Sequence, residues 1–351
     1  MAGAWYCSRQ AVKRALDVKE TARSDGQIDR AIGSASRSIE GLLRRTFLPV
    51  TATRHFRWPP EQPGKSYRLW LDSSEAISLT TLVAGGVTIA AADYFLEPAN
   101  EGPPFGSIEI DLSSSASFSS GDTSQRAIVA TGLFGYRNDE DTVGALSGSL
   151  AASESATASI TFTVSDVGVG DILRIDSERL IVTALTMVDS AQGLGGAGLT
   201  ARDSDVTVPV TDGTAFGAGM VLLIDAERML VVDVAGNNLV VRRAWDGSVL
   251  ATHAAAADIY TLTGVDVARA QLGTTLAVHS DGAAVYRFVV PELIRDLCIA
   301  EAVNTLAQEQ SGYSRTPGSG ETAMAASGAG LADIRNRAVE AHGRRYRGGA
   351  I

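Results

Sequence analysis

Two histidines, His253 and His279, occupy the same position in two copies of one pattern, and acidic and basic residues repeat around them. Val241–Leu262, VRRAWDGSVLATHAAAADIYTL, aligns without a gap on Val267–Phe288, VARAQLGTTLAVHSDGAAVYRF. The alignment pairs Arg243 with Arg269, Gly247 with Gly273, Leu250 with Leu276, Ala251 with Ala277 and Tyr260 with Tyr286. Upstream, Gly170–Val182, GDILRIDSERLIV, matches Gly219–Val231, GMVLLIDAERMLV, so Asp176 and Glu178 recur as Asp225 and Glu227. Carboxylate pairs placed across a cleft do acid–base chemistry, and histidines hold metals. Here each acidic pair sits at a predicted hairpin tip, between LRI and RLIV or between LLI and MLVV, and reads as a solvated turn. The histidines are linked by duplication and read as a repeated structural residue.

Other chemical patterns are missing. No HExxH, paired CxxC or EF-hand spacing is found, and no serine sits in a GxSxG elbow. The glycine run Gly193–Gly198 follows no clear strand and precedes no helix, so it reads as a connector rather than a phosphate loop. Cys7 and Cys298, the only cysteines, lie far apart in sequence; a disulfide framework or cysteine zinc site is not expected, and both read as reduced, buried side chains. No catalytic, cofactor or metal site is expected. Five arginines close the chain, Arg335, Arg337, Arg344, Arg345 and Arg347. They suit phosphate binding or docking of a tail onto an acidic protein surface, and the net charge of −10 favours docking.

The elements carrying these residues follow from length, charge and periodicity. A chain of 351 residues accommodates two or three domains. No apolar run approaches the roughly 18 residues that span a bilayer, and the start, MAGAWYCSRQ, lacks the apolar stretch of a secretory leader. Residues 138–288 hold 19 acidic and 8 basic side chains, and the rest holds 21 and 22, so the excess acidity lies in the repeat region and disfavours nucleic-acid binding there.

A short helical pattern begins at Ser8. A second helix, with Ser24 and Gln27 as capping box, places Ile28, Ala31, Ile32, Ala35, Ile39, Leu42 and Leu43 on one stripe and stops at Pro49. Short β runs between Thr53 and Thr131, separated by turns such as Pro63-Gly64, predict one small antiparallel sheet. Gly144–Ser159 has linker composition. The unequal spacing of the repeats predicts one β module nested in another, the outer from 159–187 plus 264–288 and the inner from 206–262. Helix resumes at Pro291, with Leu293, Ile294, Leu297, Cys298 and Leu306 as its apolar positions. Residues 312–330 read as a flexible linker, and Leu331–Tyr346 as a basic amphipathic helix in which Leu331, Ile334, Ala338 and Val339 oppose the arginines.

The expected fold class is α+β, a helical core with a small antiparallel sheet interrupted by a large all-β insert of two nested related modules. Its divisions are a core over 1–137, the insert over 138–288, a core helix over 289–311, a linker over 312–330 and a basic tail over 331–351.

With the insert set aside, the order of Ala31–Pro49 (AIGSASRSIEGLLRRTFLP), Thr131–Tyr136 (TGLFGY) and Pro291–Ala302 resembles the head-tail connector family, the adaptor or head-completion proteins of long-tailed bacteriophages. The resemblance covers about half the chain, and the insert departs from it. It implies a structural virion protein of the neck, assembled in the host cytoplasm. It implies a ring of identical subunits, usually a dodecamer, between the portal protein and the stopper or tail-terminator protein. Genomic DNA would pass through a central channel without sequence-specific binding. Carried over, Ile28, Ile32, Ile39, Leu42, Leu43, Leu293 and Leu297 would pack the ring body. Leu331, Ile334, Arg335, Arg337, Arg344, Arg345, Tyr346 and Arg347 would form the portal-docking tail. No enzymatic activity, cofactor or membrane contact is implied. The alternative is a receptor- or carbohydrate-binding virion protein working through the β insert, for which Trp245, Tyr260 and Tyr286 are the available aromatics.

Overall fold

A computed structural model of the chain describes residues 4–16, 25–59, 65–152, 157–161, 167–310 and 328–344. The expected Ser24 cap, the Pro63-Gly64 turn, most of the 312–330 linker and Arg345, Tyr346 and Arg347 lie outside these residues.

Four helices are described: α1 (Arg9–Ala15), α2 (Asp25–Leu43), α3 (Glu292–Gln310) and α4 (Gly328–His342). Helix α1 starts where Ser8 Oγ accepts the Ala11 N–H at 3.3 Å, which satisfies a free amide of the first turn. Helix α2 buries Ile28, Ala31, Ile32, Ala35, Ile39 and Leu43 along one stripe and ends where Arg44 turns left-handed.

Between α2 and the repeats run β1 (Val50–Phe56), β2 (Arg68–Trp70), β3 (Ala76–Ala84), β4 (Val87–Ile89), β5 (Tyr94–Glu97), β6 (Ser107–Ile110) and β7 (Ile128–Phe134). They form two antiparallel sheets, β1-β7-β3-β4 and β2-β6-β5, in place of the single sheet expected. In β7 the alternation buries Ile128, Ala130 and Phe134, which meet Leu69, Leu82 and Ile108 in one shared core.

The repeats build a ten-stranded antiparallel sheet from β8 (Glu140–Ala145), β9 (Thr157–Thr161), β10 (Ile172–Ile175), β11 (Glu178–Gly193), β12 (Thr207–Pro209), β13 (Val221–Ile224), β14 (Glu227–Ala235), β15 (Asn238–Arg242), β16 (Asp258–Ala268) and β17 (Ala284–Phe288). Corresponding pairings recur in both copies. The hairpin Ile172↔Ile181 matches Val221↔Leu230, the pair Leu173↔Arg287 matches Leu222↔Thr261, and the bridge Leu150↔His279 matches Leu199↔His253. Part of the stretch read as linker, 144–159, therefore belongs to the outer copy: Leu146 is buried there, and Leu150 pairs with His279. The long strands β11 and β16 serve both copies, each of which keeps its own apolar core.

The α+β expectation of a helical connector core with a small sheet is corrected. Strands make up 36% of the described residues and helices 23%, in three antiparallel sheets. The helices do not close a core by themselves. Their apolar cluster is completed by Val169, Ile172, Ile181 and Phe288 of the outer β copy. Periodicity shows that a helix has a stripe to bury, but it does not show what covers the stripe.

Equivalent glycines test the junction. Gly170 and Gly219 have left-handed φ of +94° and +91°, but a Cβ on Gly170 would lie 2.2 Å from the Trp5 ring, whereas Gly219 has open space. Gly219→Ala is expected to cost about 1 kcal/mol of backbone strain. Gly170→Ala should cost about 1–3 kcal/mol more from overpacking, measured by urea denaturation; equal losses would contradict the packing of Trp5 on the outer copy.

Candidate functional site

The residues with chemical potential converge in the repeats. In the outer copy Glu178 ends the turn from β10 to β11 and accepts two hydrogen bonds from Arg269, Nε at 3.0 Å and Nη2 at 2.6 Å. The Ala270 and Ala277 N–H groups donate to its oxygens at 2.9 and 3.0 Å. His279 bridges Glu178, 3.0 Å from Nε2, and Asp176, 2.8 Å from Nδ1. Arg269 also donates to the carbonyls of Ala151 and Ala277.

The inner copy reproduces this arrangement. Glu227 takes Arg243 at 2.7 and 2.8 Å, the Ala244 and Ala251 N–H groups at 2.9 Å, and His253 Nε2 at 2.9 Å, while His253 Nδ1 meets Asp225 at 2.7 Å. Arg243 Nη1 donates to the Thr200 carbonyl, the counterpart of Ala151. Local backbone strain is duplicated as well, with left-handed φ at Asp176 and Asp225 and at Ala270 and Ala244. At those two alanines the unusual turn aims the N–H at the carboxylate, which offsets the strain.

Both glutamates, both arginines and both histidines are buried, whereas the Asp176 and Asp225 side chains are 63% and 62% exposed. The solvated-turn reading thus holds for the aspartates and is corrected for Glu178 and Glu227. Burial alone would raise a glutamate pKa. Hydrogen bonds from arginine, histidine and two amides outweigh it and hold both glutamates at about 2, against an ordinary 4.5. Each carboxylate is saturated with donors, so the arrangement acts as a clasp: it ties the β hairpin to the loop that follows the arginine. The repeated Glu, Arg and His were visible in the sequence, but their mutual pairing was not, because 91 residues separate Glu178 from Arg269.

The remaining sequence candidates lie elsewhere. Among the described residues no group of three or more His, Cys, Asp or Glu is placed to hold a metal ion. His55 lines a surface groove of about 460 Å³ with Arg57 and Arg126. The Arg242 guanidinium lies 5.2 Å from the Trp245 ring centre, and that of Arg174 lies 4.4 Å from the Tyr286 centre, so arginines cover these two aromatics of the insert.

The three segments that carry the connector resemblance meet at the helices. Ile28, Ile32, Ile39, Leu43 and Leu297 are buried together within this chain, Leu293 is partly buried beside them, and Leu42, at 41% exposure, faces outward. Phe47 packs against Tyr6, Tyr136 and His342, with ring centres 5.6, 5.1 and 6.1 Å away. Tyr136 Oη and His342 Nδ1 lie 3.1 Å apart, and Arg45 pairs with Glu75 and donates to the His342 carbonyl. Burial, with Arg45 and Arg137 nearby, pushes the His342 pKa down.

Helix α4 folds onto this body. Leu331 and Ile334 pack on the cluster, Ala338 is fully buried, and Arg335 pairs with Glu301 at 2.8 Å. Arg344 lies near Glu75, and Arg337 is exposed. No helix among the described residues is long and apolar enough to cross a membrane. Comparisons with protein-family models, with curated proteins and with solved structures find no match.

The clasps predict a large, position-specific effect. Glu178→Gln and Glu227→Gln should each lower the unfolding free energy by about 3–5 kcal/mol, because each leaves a buried arginine without its counter-charge. Asp176→Asn, where the side chain is 63% exposed and the amide oxygen can still face His279 Nδ1, should cost under about 1 kcal/mol. The depressed carboxylates add stability above their ordinary value of 4.5, and that stability is lost as pH falls towards about 2. Acid titration of unfolding should show this loss, and a Glu178→Gln, Glu227→Gln double variant should show a shallower one.

Proposed function

We propose that the chain is a structural virion protein, a head-to-tail adaptor that forms an oligomeric ring in the neck of a long-tailed bacteriophage. The ring would sit between the portal and the stopper or tail, with a channel for DNA. The observation that carries this reading is convergence. Ala31–Pro49, Thr131–Tyr136 and Pro291–Ala302, dispersed over the sequence, share one packed body built on Ile39, Leu43, Phe47, Tyr136, Ile294 and Leu297. A second observation is the way the insert is mounted. It leaves and rejoins this body through paired strands, with Glu140 opposite Phe288, so the adaptor segments remain contiguous in space.

In this reading the protein has no catalytic task. The buried carboxylates serve rigidity, and the acidic insert forms a decoration on the ring. The tail meets the portal through the part of α4 left outward, Arg337 and Val339, and Arg345, Tyr346 and Arg347 follow it in sequence as further members of that tail. Because the opposite side of α4 completes the chain's own core, deleting the whole helix would also disturb folding.

Surface substitutions test the contact more cleanly. Arg337→Glu combined with Val339→Asp should leave the thermal midpoint within about 2 °C, as expected for exposed sites. The same pair should weaken portal binding at least about tenfold, the effect of ~1.4 kcal/mol, read by co-sedimentation with purified portal. Unchanged binding of the variant would remove this face from the mechanism, and a wild-type chain that never binds portal would refute the adaptor role.

A further inference from the structure

We propose that Cys7 and Cys298 are a disulfide-forming pair, a covalent link between the N-terminal segment and α3 that closes on oxidation. They are the chain's only cysteines, both are buried, and although they stand 291 positions apart their sulfurs lie 3.4 Å from each other. A disulfide holds its sulfurs about 2.05 Å apart, so closure requires an approach of about 1.3 Å.

The surroundings give the two thiols different parts. Cys7 donates its S–H to the Cys298 sulfur, and Ser36 Oγ lies 3.5 Å from that sulfur. The hydrogen bond from Cys7 holds the Cys298 thiol below its ordinary pKa against the opposing effect of burial, with Ser36 and the Tyr6 backbone assisting. The same hydrogen bond, together with burial, pushes Cys7 up. The Tyr6 N–H donates to Ser36 Oγ at 3.3 Å, which leaves the Ser36 hydroxyl hydrogen free to point at the Cys298 sulfur and stabilise it as a thiolate, so Cys298 is assigned as the attacking sulfur. With a hydroperoxide as oxidant, the Cys298 thiolate attacks the O–O bond, becomes a sulfenic acid and releases hydroxide, or an alkoxide from an organic hydroperoxide. The Cys7 sulfur then displaces the sulfenic oxygen, and its proton leaves with that oxygen as water. Two thiols lose two electrons, and the peroxide gains them. Because both sulfurs are covered, reaction follows local opening of the N-terminal segment.

That segment gives the bond a structural consequence. The Arg9 N–H donates to the Val169 carbonyl at 2.9 Å, Gln10 Oε1 accepts the Val169 N–H at 2.8 Å, and the Trp5 ring covers Gly170. Residues 4–16 thus strap the outer β copy to the helices, and a Cys7–Cys298 bond fixes the strap to α3. It also constrains the unfolded chain over a very long loop.

The test treats the purified full chain with hydrogen peroxide, then denatures it, alkylates it and digests it without reductant. The expected result is loss of both free thiols, a Cys7–Cys298 linked peptide, a higher thermal midpoint and slower proteolysis near the N-terminus, all reversed by dithiothreitol. Cys7→Ser and Cys298→Ser should each abolish the peroxide-dependent rise in midpoint while folding normally in reductant. Two alkylatable thiols after treatment, sulfinic acids without the linked peptide, or intermolecular disulfides alone would overturn the assignment.

Discussion

The structure depends on one strand pairing at the root of the insert. β8 and β17 run antiparallel with Glu140 opposite Phe288, and the Val289 N–H donates to the Asp139 carbonyl at 2.8 Å. The chain can leave the N-terminal sheets after Tyr136 and enter α3 after Pro291 because this ladder holds the two ends together. Loop-closure entropy grows only slowly with length, so an insertion of this size is tolerated once its ends are paired. The root is also bound sideways. Arg174 makes a bidentate pair with Glu140 and lies over the Tyr286 ring, and Phe288 enters the helical cluster.

Beyond the root, duplication explains how one β unit sits inside another without a new interface. β11 belongs to the outer copy near Ile181 and to the inner copy near Val188, and β16 makes the converse passage. Register shifts between Val182 and Ala184, Thr186 and Val188, and Asp189 and Gln192 mark the crossing. Such irregularities bend a strand and let it leave one core for another. Each copy then closes with the same clasp. A buried ion pair gives little net stability over an apolar equivalent, but losing one partner is costly. The clasps therefore select one loop geometry more than they add free energy.

The sequence disclosed local patterns and concealed their partners. The stripe of α2 was readable from Ile28 to Leu43, yet nothing in its period pointed to Val169 or Phe288, and the helical-core expectation failed on that account. His253 and His279 were recognisable as equivalent through the repeat. Glu178 and Glu227 looked like turn residues because Asp-x-Glu next to a hairpin commonly faces water, and the arginines that bury them lie elsewhere in the chain. Gly144–Ser159 resembled a linker because its small residues mask Leu146 and Leu150, which the outer copy needs. Cys7 and Cys298 are distant in sequence, and only packing of the N-terminal segment on α3 brings their sulfurs together.

In the proposed reading the clasped, acidic β insert is carried by a body that serves assembly. The central claim is that many copies of this body close into a ring on the portal. The direct measurement is the mass and projection shape of the complex formed with purified portal, by native mass spectrometry and electron microscopy. The account predicts a closed ring of this chain with a central channel, bound to one face of the portal. A chain that stays monomeric and unbound at the local concentrations of an assembling particle would contradict it.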